Sequence, residues 1–110
     1  MEIERTNVRD VIIYKVIGRI DSTSTDTFWQ TASQALAQGS AKFIIDCENL
    51  EYISSAGLRS LLAIAKNVRP KNGIVALCNM SEQTKSVMDI AGISTFIKMY
   101  HDLAEALSHC

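Results

Sequence analysis

The chain is poor in the residues that most catalytic, secreted and metal-binding proteins depend on. Its 110 residues include one proline, one tryptophan, two histidines and three cysteines. Cys47 and Cys78 lie in apolar runs and Cys110 is the last residue, so the cysteine count is odd and there is no C-x-x-C spacing. A disulfide framework is not expected. His101 and His109 both fall in the last ten residues, and no cluster supplies the three or four convergent ligands that a metal requires. No metal and no cofactor is expected.

Charge of one sign is also missing. Eleven Lys and Arg stand against twelve Asp and Glu, a net charge of −1, with no basic block for phosphate backbones or anionic lipid. Nucleic acid is therefore not an expected direct partner. Uninterrupted apolar runs are short, such as Leu61 to Ala65, against the roughly 20 residues that span a bilayer. No membrane segment is expected, and Met-Glu-Ile-Glu-Arg at the start is unlike a secretory signal, which points to a cytoplasmic protein.

What is present is the balance of one globular domain over 1–110, 47% hydrophobic and 21% charged. A chain of this mass hides roughly two-thirds of its unfolded surface on folding, enough for one core without cross-links. Glu2 to Val8 alternates loosely and Val11 to Ile17 is rich in β-branched residues, which predicts two strands joined at Arg9 and Asp10 in an antiparallel hairpin. Ser22 to Thr27 is a run of short polar side chains suited to helix entry. Phe28, Ala32, Ala35 and Leu36 then recur at helical spacing, with Gln30, Gln34 and Gln38 on the other side.

Lys42 to Asp46 reads as a short buried strand. Leu58, Leu61, Leu62, Ala65 and Val68 predict a second amphipathic helix ended by Pro70 and Gly73. Ile74 to Cys78 is a further buried strand, and Ser81 caps a helix through Ala91. Thr95 to Tyr100 is read as the last strand. Asp102 with Glu105 resembles a capping box opening a final helix, Leu103 to about Ser108. Strands alternating with helices imply right-handed parallel crossovers. The expected fold is α/β: a mixed sheet of four to five strands with an N-terminal hairpin, packed against about four helices.

Function in such sheets gathers at the carboxyl ends of the strands, which here are the polar segments Gly18–Thr27, Asp46–Gly57 and Cys78–Thr84. A serine-hydrolase elbow, Gly-x-Ser-x-Gly, is not found, because Tyr52-Ile-Ser-Ser-Ala-Gly57 keeps only the second glycine. Phosphate-cradling glycine loops are absent as well. The informative segment is Ser54-Ser-Ala-Gly-Leu58. Two hydroxyls and two small residues before an amphipathic helix place a serine at a helix N-terminus, where unpaired N–H groups and the dipole favour an anion. Such a serine can be an ordinary N-cap or can take a phosphoryl group.

Nearly the whole chain resembles the STAS domain of bacterial anti-sigma factor antagonists. Val11 to Asp21, ending Gly18-Arg-Ile-Asp21, resembles the family's strand ending Gly-x-Leu/Ile-Asp. Phe43-Ile-Ile-Asp46 is similar to its central strand, and Tyr52-Ile-Ser-Ser-Ala-Gly-Leu58 to its phosphorylation loop. Ala91-Gly-Ile93 with Phe96, and Leu103-Ala-Glu-Ala-Leu107, resemble the segments that close the family's fold. In the family loop the serine two residues before the glycine accepts phosphate, and that position is Ser55. Ser54 departs from the pattern, since many members carry aspartate there.

The resemblance implies a non-enzymatic module. Unmodified, it binds an anti-sigma factor that is also a GHKL-type serine kinase, so that the sigma factor is freed. Phosphorylation at Ser55 ends the binding and a PP2C-type serine/threonine phosphatase restores it. Asp21, Ser54, Ala56, Gly57 and Arg59 are the expected partner-interface residues. Asp21 has a competing reading as a turn cap and Arg59 as a solvated surface cation. The Ser54 departure motivates an alternative: a constitutive STAS subunit of a transporter-associated or stressosome-like assembly, never phosphorylated.

Overall fold

A computed structural model describes Met1–Cys110. Strands β1 (Glu2–Val8) and β2 (Val11–Ile20) form the antiparallel hairpin, with Val8 opposite Val11 and Arg9 at φ +56° in the turn. Helix α1 (Thr25–Ala37) follows, then β3 (Lys42–Asp46), β4 (Leu50–Ile53), α2 (Ser55–Val68) and β5 (Ile74–Cys78). The chain closes with α3 (Glu82–Ile90), β6 (Lys98–Tyr100) and α4 (Leu103–Ser108). The sheet runs β1-β2-β3-β5-β6, with β4 paired to the far end of β2, and every pair except the hairpin is parallel.

The expected mixed α/β sheet with an N-terminal hairpin and four helices is present, with two refinements. Six strands form rather than four or five, because Leu50–Ile53, within a segment read as a polar turn, adds to β2 beyond an irregularity at Gly18 and Arg19. Gly18 sits at φ +100°, where a side chain is strained, and this shift lets β2 continue to Ile20 instead of stopping at Ile17. The last strand begins at Lys98, not Thr95, since Ile93–Thr95 close a single 3-10 turn that drops Ile93 into the core.

The central strands are buried on both faces, so they read as continuous apolar runs without alternation. Ile12, Tyr14, Phe43, Ile45, Val75 and Leu77 face α1, α2 and α3 and build the larger core. Val11, Ile13, Ile44, Ala76 and Cys78 face the other way, against Ala106 of α4. Asp102 caps α4 by accepting from the Glu105 N–H at 2.8 Å. The Glu105 side chain accepts from the His101 N–H, one residue beyond the N-cap N–H that the standard box uses. Burial pushes the thiols of Cys47 and Cys78 up, so both stay protonated and act as packing. No helix is long and apolar enough to cross a membrane.

Candidate functional site

The parallel strands deliver three chain segments to one end of the sheet: the loop after β2, the junction of β4 and α2, and the turn after β5. Ser54 is the N-cap of α2. It is extended at φ −80° and ψ 169°, and its Oγ accepts from the Gly57 N–H at 3.1 Å. This takes one of the N–H groups that a helix start leaves unpaired. The Ser54 N–H donates to the Ile20 carbonyl at 2.8 Å, fastening the junction to the end of β2.

The two hydroxyls therefore have different jobs. Ser54 is partly buried and occupied by capping, whereas Ser55, first residue of α2, is exposed. An aspartate at position 54 would cap equally well, so serine serves the same backbone geometry without placing a negative charge beside Ser55. Replacing Ser54 with alanine is expected to cost about 1 kcal/mol and about 4 °C in Tm, read by thermal unfolding. An unchanged Tm would show that the cap contributes nothing.

Gly57 is required by close approach. A Cβ on it would lie 2.7 Å from Ile53 Cγ1 and 2.8 Å from Ile20 Cγ2, both on buried side chains. The first turn of α2 thus rests directly on the ends of β4 and β2, which fixes where Ser55 emerges. Ser60 on the same helix is buried and donates to the Ala56 carbonyl at 3.2 Å.

Asp21 is confirmed in the role of a turn cap. Its Oδ1 accepts from the Thr23 N–H at 3.0 Å and the Thr23 hydroxyl at 2.7 Å. Ser24 Oγ accepts from the Asp21 N–H at 3.0 Å and donates to the Arg19 carbonyl at 2.8 Å. The Thr23 bonds, aided by Ser24 and Arg19, hold the Asp21 carboxyl below its ordinary value of 3.8. A lowered folded-state value means that the carboxylate stabilises the loop above the ordinary value. That contribution disappears as pH falls through the lowered one. The Asp21 carboxyl carbon is expected to titrate with an NMR midpoint below 3.8, and a midpoint at or above it would contradict these bonds.

Asp21 also faces Arg19 at 3.7 Å, and the Arg19 guanidinium lies over the Tyr52 ring, 4.4 Å from its centroid. Sequence reading missed this pair. It links the loop after β2 to β4, and the signal available was an arginine and a tyrosine on strands whose pairing had not been recognised.

Of the other expected interface residues, Ala56 is partly buried beside Ser55, and Arg59 is exposed one turn on without an ion pair. Lys66 on the same helix lies roughly 16 Å along the axis from Ser55, toward Phe96, and is not brought to this end. Asp46, at the end of β3, is buried. It accepts from the Glu48 N–H and the Asn79 side-chain amide, both at 3.1 Å, and so ties the end of β3 to the turn after β5. Neither histidine is hydrogen-bonded to Ser54 or Ser55: the His109 ring stacks on Tyr100, and the His101 N–H bonds Glu105.

Ser55 stands at the lip of a shallow groove of about 360 Å³ between α2 and α3, lined also by Glu51, Tyr52, Leu58, Thr84 and Val87. Tyr52 and Val87 are large apolar side chains that remain about 40% exposed there. An exposed serine on a rigid helix start, beside a groove of mixed apolar and polar lining, suits a protein-docking face that a charge can spoil.

A layered mixed sheet with a capped serine turn leading into α2 defines a class, and the chain belongs to the STAS domain family, whose model matches residues 2–106. The anti-sigma F factor antagonist of Paenibacillus polymyxa is 24% identical over 98% of this chain and 93% of its own. An anti-sigma factor antagonist from Mycobacterium paratuberculosis has a similar structure, with a TM-score of 0.89, 20% identity, and coverage of 98% of this chain and 92% of its own. SpoIIAA of Bacillus is similar in its unphosphorylated form (TM-score 0.78, covering 98% and 96%) and its phosphorylated form (0.76, covering 98% and 98%), each 19% identical. At these identities the structural likeness establishes the fold.

Proposed function

We propose that this protein is an anti-sigma factor antagonist switched by phosphorylation of Ser55. Unmodified, it binds an anti-sigma factor with GHKL-type serine kinase activity and frees the sigma factor, and it acts by binding without turnover, in the cytoplasm. The observation that carries this reading is the division of labour between adjacent serines: Ser54 is held by the cap and Ser55 is an exposed residue. A PP2C-type phosphatase resets the switch.

Phosphorylation adds a charge of about −1.5 to −2 and three acceptor oxygens. The start of α2 tolerates that charge through its dipole, so the fold survives. Glu51 and the apolar side chains Tyr52, Leu58 and Val87 around the groove do not tolerate it in a dry interface. Asp21, Ser54, Ala56, Gly57 and Arg59 form or support the contact: Asp21 and Ser54 by shaping the two loops, Gly57 by seating the helix, Ala56 and Arg59 at its surface.

The test is reconstitution. Unmodified protein added to a complex of the cognate anti-sigma factor and sigma factor is expected to release the sigma factor, and protein phosphorylated by that kinase is expected to release none. Equal release by both forms would favour a constitutive STAS subunit over a switch.

A further inference from the structure

The end of the sheet opposite Ser55 has a different electrostatic character. Arg9, Lys42, Lys71 and Lys98 sit at the beginnings of β2, β3, β5 and β6, and Lys66 and Arg69 at the end of α2. Six of the eleven Lys and Arg thus gather at one end of a chain whose net charge is −1. The acidic side chains at this end are Asp10, paired with Lys42 at 3.1 Å, and Asp89 in the last turn of α3, and His109 and Cys110 also line the groove at this end. Near Ser55 acids predominate: Asp21, Glu48 and Asp102 lie in loops, Asp26 and Glu82 in the first turns of α1 and α3, and Glu51 in β4, against the cations Arg19 and Arg59.

The basic end is shaped as well as charged. A groove of about 450 Å³ has Ala65, Val68 and Val75 in its floor and Lys42, Arg69 and Lys98 among its walls. Phe96 is 43% exposed at its edge, with Arg69 5.2 Å and Lys66 6.0 Å from the ring centroid. Lys66 and Arg69 also complement the dipole of α2, an explanation that does not extend to Lys42 and Lys98 on strand ends. Arg69 and Lys98 carry no ion pair.

We propose that this groove is a second docking site, which takes an acidic peptide segment of a partner protein with an apolar side chain among its carboxylates. Separated cations around an apolar floor match separated carboxylates around an apolar anchor. The site lies at the other end of α2 from Ser55, so both ends can be occupied together and the tethered partner is independent of the phosphorylation state.

The experiment is fluorescence anisotropy of the full chain with a labelled peptide of alternating Glu and Leu. Labelled duplex DNA and phosphatidylserine vesicles are run in parallel. Saturable peptide binding is expected, weakened at least about tenfold in the double variant Arg69→Glu/Lys98→Glu and unchanged in Ser55→Asp. The Arg69→Gln/Lys98→Gln pair, checked by circular dichroism, gives the same reading if charge reversal disturbs folding. Absence of saturable binding, or equal binding by the neutralised variant, would overturn the proposal. So would tighter binding of the duplex or the vesicles than of the peptide.

Discussion

Replacing Ser55 with aspartate is expected to lower affinity for the anti-sigma partner by about 30-fold to 1000-fold, equivalent to about 2–4 kcal/mol. The loss has a local cause. Ser55 opens α2 next to exposed Tyr52 and Val87, so a partner that covers the groove must strip water from whatever stands at position 55. A hydroxyl is desolvated at modest cost, and a carboxylate or phosphate without a paired cation at much greater cost. The fold is expected to be unaffected, because a negative charge at a helix start interacts favourably with the dipole. Calorimetric titration with the anti-sigma factor reads the affinity and thermal unfolding reads the fold. Ser55→Ala should bind like the unmodified protein and resist the kinase. Aspartate binding at full affinity would remove the electrostatic account.

Replacing Gly57 with valine is expected to destabilise the domain by about 1–3 kcal/mol, with a Tm lower by roughly 4–12 °C. The added Cβ alone would stand 2.7 Å from Ile53 Cγ1 and 2.8 Å from Ile20 Cγ2. Neither neighbour can swing away, since Ile20 is fully buried and Ile53 nearly so. The first turn of α2 must therefore lift from the ends of β2 and β4, which strains the Ser54 cap and shifts Ser55. Partner affinity should fall with stability, and Gly57→Ala should give a smaller loss of both. A valine variant with unchanged Tm would show that α2 can slide outward freely. That would contradict the rigid placement of Ser55.

These effects depend on features of unequal visibility in the sequence. β3 and β5 were legible because strands buried on both faces are continuous apolar runs, and α2 because its leucines repeat at helical spacing above a glycine stop. β4 was not, since Leu50-Glu-Tyr-Ile53 buries only its two ends and owes its strand character to pairing with a part of β2 reached through the Gly18 irregularity. The same pairing brings Arg19 over Tyr52, a contact no local pattern announces. At the site, the two serines were visible as a pair, but which one caps the helix is a matter of backbone geometry. The start of α2 at Ser55 settles that assignment, and with it the identity of the free hydroxyl. The basic end was hidden for a different reason: Arg9, Lys42, Arg69 and Lys98 are far apart in sequence and only the parallel topology assembles them.

Site mapping after phosphorylation tests the central claim most directly. The protein is incubated with ATP and its cognate anti-sigma kinase, then digested and sequenced by tandem mass spectrometry. The account predicts one phosphoryl group, on Ser55 and absent in Ser55→Ala. Phosphate on Ser54, or none at all with an active kinase, would contradict it.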